Sequence, residues 1–172
     1  MSDNSSCLKQ NQIIRESLTE AVLRLMATRP LVTLTVAEVC RTAGVSRNVY
    51  YRSYDSIPDI LREHLVTTWR SYASAHQDEY PAPEQLGELF CAYIYDEREL
   101  ISLLYQQGQM GLVEGILYEI LGPVPGEAAS SRYIKSCAAY WVYGIVIAMA
   151  AGGFAETPAE IKALLHTARP AE

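Results

Sequence analysis

Apolar residues recur every three or four positions along most of the chain, which is the spacing of one face of an amphipathic helix. The first such stretch covers residues 9–28, and Pro30 is expected to end it because proline cannot continue a helix. Its inward-facing positions are Ile13, Ile14, Leu18, Ala21, Val22, Leu25 and Met26. Another helix is expected to open at Ser56 and Pro58, a cap followed by a proline.

Breaks rich in proline and glycine divide the second half of the chain into further helices. Residues 80–83 (Tyr-Pro-Ala-Pro) and 122–126 (Gly-Pro-Val-Pro-Gly) are typical of turns and loops. Around these breaks the pattern predicts helices over residues 84–95, 97–107, 111–121, 128–154 and 157–167. Since no alternating pattern of useful length appears, the sequence predicts an all-α protein.

Residues 35–54 hold two short predicted helices joined by a glycine-centred turn. Thr35 can cap the first helix, with Glu38 three residues later in the capping-box position. Gly44 can end that helix in a left-handed conformation without a Cβ penalty, and Ser46 can cap the second. This arrangement is a helix-turn-helix, in which the first residues of the second helix enter the major groove of DNA.

The residues that open the second helix suit base recognition. Arginine pairs with guanine and asparagine with adenine through two hydrogen bonds, and a small apolar side chain can touch the thymine methyl. These candidates are Arg47, Asn48 and Val49. Hydroxyl and guanidinium groups nearby can hold phosphates, and those candidates are Thr35, Ser46, Tyr51, Arg52 and Ser56. The alternative is that Arg47 and Asn48 only form a solvated helix start, whereas Tyr50 and Tyr54 are expected in the core.

An ordered set of motifs runs through this segment: Thr35, Val39, Ala43-Gly44-Val45-Ser46, Tyr51 and Tyr54. With the long helix before it, this set resembles the N-terminal domain of the tetracycline-repressor (TetR) family of transcriptional regulators over residues 13–61. The resemblance implies a three-helix DNA-binding domain over residues 1–55 and a larger helical ligand-sensing and dimerisation domain over residues 56–172. One departure is Ile57, where family members commonly carry a lysine. A phosphate contact is therefore expected to be lost, beside the negative charge of Asp55.

Charge is divided unevenly along the chain. The net charge of −6 is unusual for a protein that binds DNA. Residues 1–55 carry seven Lys and Arg against five Asp and Glu, a net +2, whereas residues 56–172 carry seven against fifteen, a net −8. Because the basic excess is small, DNA affinity would rest on local contacts and on having two DNA-binding domains, one from each subunit, which we call the two heads.

Cysteine and histidine spacing argues against a metal, cofactor or catalytic site. No cysteine pair has the spacing of metal ligands, and the histidines are isolated. No nucleophile has an evident base, so neither an enzyme nor a bound cofactor is predicted, and a redox sensor is the alternative for the thiols. Without a secretory signal, a cytoplasmic protein with reduced cysteines is expected. The cysteines are Cys7, Cys40, Cys91 and Cys137.

Residues 136–155 form a run of 20 residues without a charge, which is long enough to span a membrane. Frequent alanine and glycine make the run only moderately hydrophobic. We therefore expect no membrane contact but a helix that packs on its own domain and on a second subunit, with a transmembrane helix as the alternative. The TetR resemblance implies a homodimer interface on the last two helices, formed by Trp141, Ile145, Ala148, Ile161, Leu164 and Leu165.

Tyrosine is unusually common, with 12 tyrosines against 2 phenylalanines. A pocket lined by tyrosines would suit a small, partly polar organic effector, whereas ordinary core tyrosines are the alternative. The candidate ligand contacts are Tyr93, Tyr105, Tyr118 and Tyr140.

Together these features favour a homodimeric transcriptional regulator, a repressor that binds a palindromic operator in double-stranded DNA and is released by a small ligand. The ligand would favour one arrangement of the middle helices and so change the separation of the two heads. The main alternative is a protein-interaction module of the same fold with weak or lost DNA binding.

Overall fold

The structure is a computed structural model that describes residues 3–76 and 83–167. Nine α-helices and one short 3-10 helix account for the ordered elements of these residues, and no strand occurs among them. The all-α prediction is therefore confirmed. The predicted break at Tyr80, Pro81 and Ala82 lies outside the described residues.

The helices follow the predicted order. Their bounds are α1 Asp3–Met26, α2 Val36–Ala43, α3 Arg47–Tyr51, α4 Ile57–Ala75, α5 Pro83–Asp96, α6 Arg98–Gln106, α7 Gly111–Leu121, α8 Ala129–Ala151 and α9 Pro158–Thr167, with the 3-10 helix at Leu31–Thr33. Helix α1 begins six residues before the predicted start, and α8 ends three residues before the predicted end. At that end Gly153 takes a left-handed φ of 66°, and the buried Phe154 follows at φ 58°. These conformations cannot continue a helix.

The first of two compact units comprises Met1–Leu65. Helix α1 packs along α2, and α2 packs on α3. The core of this unit is formed by side chains that are fully or almost fully buried: Leu18, Val22, Val39, Tyr50, Ile60 and Leu61. All of them come from helices that the apolar pattern predicted, so burial of each helix's apolar face stabilises the unit.

The second unit comprises Val66–Glu172 and is built around α8, which packs on α5, α6 and α7. Helix α9 packs on α5, where Lys162 forms an ion pair of 2.7 Å with Glu88. Its core side chains include Phe90, Ile94, Leu100, Ile101, Leu104, Leu117 and Val146. The division between the units falls inside α4, ten residues beyond the domain boundary that the resemblance implied.

Candidate nucleic-acid interface

Helix α2 begins and ends as its sequence predicts. The Thr35 hydroxyl oxygen accepts from the Glu38 backbone N–H at 3.4 Å, and the Thr35 N–H donates to the Glu38 carboxylate at 3.1 Å. This reciprocal pair is a capping box, and it satisfies two backbone donors that the helix leaves free. Gly44 ends the helix at φ 69°. The Val45 N–H then reaches back to the Cys40 carbonyl at 3.0 Å, which closes the turn before α3.

Helix α3 is short, and two buried tyrosines pack on its inner side. The Ser46 hydroxyl oxygen accepts from the Val49 N–H at 3.3 Å and caps the helix. Tyr50 is fully buried and Tyr54 is 5% exposed, with their ring centroids 5.9 Å apart. Both core predictions are confirmed. Because these rings point inward, they turn the opposite face of α3 toward solvent.

The solvent face of α3 presents polar and cationic side chains. Arg47, Asn48 and Arg52 are exposed, Tyr51 is 61% exposed, and Val49 is half-buried. Among the described residues, none forms a hydrogen bond or an ion pair with the side chains of Arg47, Asn48 or Arg52. These donors are therefore free to meet an external partner.

Two of the predicted phosphate-binding hydroxyls are already engaged. The Thr35 hydroxyl donates to the Glu38 carboxylate at 2.5 Å, and the Ser56 hydroxyl donates to the Asp59 carboxylate at 2.8 Å. A phosphate oxygen is also an acceptor, so it would compete with these carboxylates for the same protons. Ser46, Tyr51 and Arg52 keep donors available, whereas Thr35 and Ser56 would have to exchange partners.

Glu38 holds a negative charge at the edge of this surface. The hydrogen bond from the Thr35 hydroxyl and the pairing with Arg29 lower the pKa of Glu38 to about 2. The Arg29 guanidinium lies 2.9 Å from the other carboxylate oxygen. Glu38 therefore stays ionised at neutral pH, but Arg29 offsets its charge locally.

A side-chain network behind α3 was not found from the sequence. The Tyr54 hydroxyl donates to Glu63 of α4, and the same carboxylate forms an ion pair with Arg15 of α1 at 3.1 Å. Burial and this hydrogen bond raise the pKa of Tyr54 above its ordinary value. The network links the end of α3 to two other helices of the first unit. No spacing rule relates these three positions.

Ile57, the position where the TetR resemblance expects a lysine, is 8% exposed and belongs to the core of the first unit. Asp55 is exposed two residues earlier. The chain therefore offers an acidic side chain and a buried apolar one where a phosphate-binding cation was expected. Loss of that contact stays a prediction.

The residues predicted for a dimer interface differ in exposure. Trp141 is 57% exposed, Leu164 is 58% exposed, and Ala148 is exposed. Ile161 and Leu165 are half-buried, whereas Ile145 is buried within its own chain. Helix α8 carries a continuous exposed strip without charge, which we call the α8 stripe: Ile134, Ala138, Trp141, Gly144, Ala148 and Ala151.

The four candidate ligand-binding tyrosines lie in different surroundings. Tyr93 is 3% exposed, packs on Trp69, and shares a hydrogen bond of 2.8 Å with Thr68. Tyr105 is 37% exposed on α6. Tyr118 and Tyr140 lie together, with ring centroids 6.1 Å apart. They line a small surface groove, which we call the tyrosine groove, formed by Glu114, Tyr118, Ala139, Tyr140 and Tyr143.

Glu114 and Tyr143 were not found from the sequence, although a signal for them was present. Glu114 precedes Tyr118 by four residues on α7, and Tyr143 follows Tyr140 by three on α8, so each pair shares a helix face. That periodicity relates residues within one helix. Only the packing of α7 on α8 brings these two helix faces together.

The described residues hold no group of three or more potential metal ligands. Cys40 and Cys91 are buried free thiols, and burial raises the pKa of Cys91 to about 11. Such a thiol carries little thiolate at neutral pH, so it lacks the reactivity of a redox sensor. Cys137 is free and exposed, and the side chain of Cys7 lies outside the described part.

Helix α8 is long and apolar enough to cross a membrane by length and composition, with a mean hydropathy of 1.5 in its most apolar window. Only 28% of that window is buried inside the chain. Most of that window is therefore not covered by the chain's own core.

The chain was compared with protein-family models, with curated proteins and with solved structures, and none of the three comparisons gave a match.

Proposed function

We propose that this protein is a sequence-specific DNA-binding regulator that acts as a homodimer, as its resemblance to the TetR family suggests. The observation that carries the proposal is the solvent face of α3. Arg47 and Asn48 are exposed at the start of a capped helix and have no partner among the described residues, while Tyr50 and Tyr54 anchor the opposite face. This is the chemistry and placement that base recognition requires.

In this proposal the start of α3 enters the major groove. Arg47 would pair with guanine and Asn48 with adenine, while Val49, which is half-buried, would offer its exposed part to a thymine methyl. Tyr51 and Arg52 would hold phosphates at the edge of the groove. The ion pair between Arg29 and Glu38 supports this geometry because it offsets the charge of a carboxylate on α2.

A second reading head would come from a second copy of the chain. One recognition helix covers only a few base pairs, so operator selection needs two heads about one helical turn apart. The α8 stripe supports a dimer because it is apolar, uncharged and exposed, and its small residues allow two helices to approach closely. Exposed Leu164 on α9 would extend the same interface.

Regulation by a small ligand would act through α4, the helix that continues from the first unit into the second. In the proposed mechanism, a ligand bound by the second unit favours one arrangement of its helices and displaces α4, which changes the separation of the heads. Release of the operator by this shift would make the protein a repressor.

The first test is selection of DNA from a random pool, followed by affinity measurements at several salt concentrations. A specific complex should weaken steeply with salt, because phosphate contacts release counterions. Arg47→Ala should lower operator affinity by about 1–3 kcal/mol and relax one base position. Arg132→Ala removes an equally exposed cation from the second unit and should leave binding unchanged. If no sequence is enriched even at low salt, the proposal is wrong.

The second candidate is a protein-interaction module of the same fold that has lost DNA binding. Specific observations favour it: the hydroxyls of Thr35 and Ser56 donate to carboxylates, and Ile57 is buried where a cation was expected. Failure to bind any DNA at low salt, together with a stable dimer, would support this candidate over the first.

A further inference from the structure

We propose that two copies of this chain pair through α8 in antiparallel order, with Trp141 packed against Gly144 of the partner subunit. The pairing surface, which we call the α8 seam, is a set of exposed residues at alternating intervals of three and four: Ile134, Cys137, Trp141, Gly144, Ala148 and Ala151. The inference rests on the homodimer of the proposed function, to which it gives a direction and a register, but it does not depend on DNA binding.

The spacing of the α8 seam is that of a helix that packs along a second helix. Alternating intervals of three and four keep the positions on one face of two helices that wind around each other. Ala139, Val142 and Val146, on the other side of α8, are buried in the chain's own core. Trp141 is 57% exposed and Ile134 is 69% exposed, although such side chains gain by leaving water. A second helix along the seam would cover them.

Nothing in the described part of the chain explains why Gly144 is a glycine. It lies inside α8, where glycine is less stable than alanine because its backbone loses more freedom on folding. A Cβ placed on Gly144 would meet no atom within 4 Å beyond its chain neighbours and its own helix backbone. The glycine therefore leaves a gap on the helix surface, three residues from Trp141, the bulkiest side chain of the seam. A side chain from a second subunit can fill that gap.

The order of large and small residues makes the seam complementary to a reversed copy of itself. About a two-fold axis, each layer then joins a larger residue to a small one of the partner subunit: Trp141 to Gly144, Ile134 to Ala151, and Cys137 to Ala148. In the parallel order each residue would face its own copy, so two tryptophans would meet in one layer and two glycines in the next. Overpacking and voids both destabilise such layers. The antiparallel order avoids both.

The charges at the two ends of α8 also favour the antiparallel order. Exposed Arg132 lies near the beginning of the helix, whereas exposed Glu156 follows its end, with its carboxylate 3.6 Å from a Cβ placed on Gly152. Antiparallel pairing brings the cationic end of one helix beside the anionic end of the other, and the helix dipoles then run in opposite directions. Parallel pairing would bring like charges together. Exposed charges add little affinity, so they set the direction while the seam provides the binding.

The native thiol of the seam provides the test. In the antiparallel order Cys137 lies beside Ala148 of the partner subunit, whereas the two copies of Cys137 are about 16 Å apart, the rise of a helix from residue 137 to 148. A disulfide needs Cα atoms within about 7 Å. Ala148→Cys should therefore form a covalent dimer when dioxygen and copper phenanthroline oxidise the thiols. Peptide mapping should find Cys137 joined to position 148, and in the original chain it should find no disulfide between two copies of Cys137.

Ala148→Cys combined with Cys137→Ser is the matched control, because it keeps the introduced thiol and removes its proposed neighbour. This double variant should form no disulfide through position 148. A disulfide between two copies of Cys137 in the original chain would show the parallel order and overturn the proposal. A chain that is dimeric by sedimentation equilibrium but joins no thiols in Ala148→Cys would overturn it as well.

An exchange of sizes tests the register without oxidation. Gly144→Trp should raise the dimer dissociation constant at least about tenfold, because two tryptophans then occupy one layer. Adding Trp141→Gly moves the large residue to the other side of that layer and should restore most of the affinity. Gly115→Trp is the control, since Gly115 is an exposed glycine of α7 with equally open surroundings. If the exchange restores no affinity in a chain shown to be folded by circular dichroism, positions 141 and 144 do not face each other.

The result is separable from the proposed function. A chain that joins Cys137 to the introduced thiol but selects no DNA would disprove the regulator and leave the α8 pairing standing. A dimer that selects an operator but fails the cross-linking and exchange tests would disprove only the antiparallel pairing. A chain that is monomeric at every concentration tested would overturn the pairing and the homodimer together.

Discussion

The exposed faces of α3 and α8 have opposite chemistry. In the first unit, α3 presents arginine, asparagine and the hydroxyl of the exposed Tyr51, and keeps Tyr50 buried. In the second unit, α8 presents Ile134, Trp141 and a series of small residues, and the charges lie elsewhere. Polar donors gain from a charged, hydrated partner such as a phosphate backbone, whereas an exposed apolar strip gains only by leaving water. The two faces therefore differ in the kind of partner that would gain from contacting them.

The largest effect is expected from a charge placed on the α8 stripe. If this surface joins two subunits, Trp141→Glu should raise the dimer dissociation constant more than about a hundredfold, or roughly 3 kcal/mol, because a buried aromatic anchor is replaced by a carboxylate. Sedimentation equilibrium without detergent measures the change. Because the variant weakens the dimer, its operator affinity should also fall, although Trp141 touches no DNA in the proposed complex.

Tyr133→Glu is the matched control, since Tyr133 is 69% exposed on the same helix but lies outside the stripe. It should leave the dimer intact. A chain that is monomeric before any substitution would contradict the dimer, and one that stays in solution only with detergent would favour a membrane as the occupant of α8.

The next largest effect is expected on the free energy of unfolding, from removal of the Tyr54 hydroxyl or the Tyr50 hydroxyl. Tyr54 donates to the ionised Glu63, so Tyr54→Phe should lower the free energy of unfolding by about 2 kcal/mol, the usual value for a hydrogen bond to a charged group. The Tyr50 hydroxyl is buried and has no hydrogen-bond partner among the described residues. Tyr50→Phe should therefore be neutral or stabilising by up to about 1 kcal/mol.

Urea unfolding of the two variants gives a direct comparison, because both remove one oxygen from neighbouring buried rings. An equal loss of stability in the two would mean that the network of Tyr54, Glu63 and Arg15 does not support α3. If the network does support it, Tyr54→Phe should also weaken DNA binding, whereas Tyr50→Phe should not.

A smaller effect is expected from the cap of α2. Thr35→Ala removes the hydroxyl that accepts from Glu38, and loss of such a cap lowers stability by about 1 kcal/mol. Thr67→Ala is the control, since Thr67 is exposed inside α4 and alanine is the better helix former there. Thermal unfolding should separate the two variants. If Thr35→Ala is as stable as Thr67→Ala, the capping box contributes nothing to folding.

Features that depend on residues close together in the chain could be predicted from the sequence, whereas contacts between helices could not. The caps at Thr35 and Ser46 and the end at Gly44 involve residues three to five positions apart, and all were correct, because the local chain alone decides them. Tyr118 and Tyr140 were both selected as candidates, but their meeting with Glu114 depends on how α7 packs on α8. Tyr93 shows the same limit, since its burial against Trp69 is decided by the packing of α4 on α5.

The smallest predicted effect is the pH dependence contributed by Glu38. Its pKa in the folded chain is lowered to about 2 by the Thr35 hydroxyl and Arg29, from an ordinary value of 4.5. A carboxyl with a lowered folded pKa binds fewer protons when folded, so its contribution is complete above pH 4.5 and is lost as the pH falls toward 2. Glu38→Gln should therefore flatten the acid side of the stability curve. Urea midpoints measured through this interval check the prediction, with Glu99→Gln as an exposed control. If Glu38→Gln keeps the acid slope of the stability curve and Arg29→Gln loses it, the slope comes from another partner of Arg29. The capping box would then not be its source.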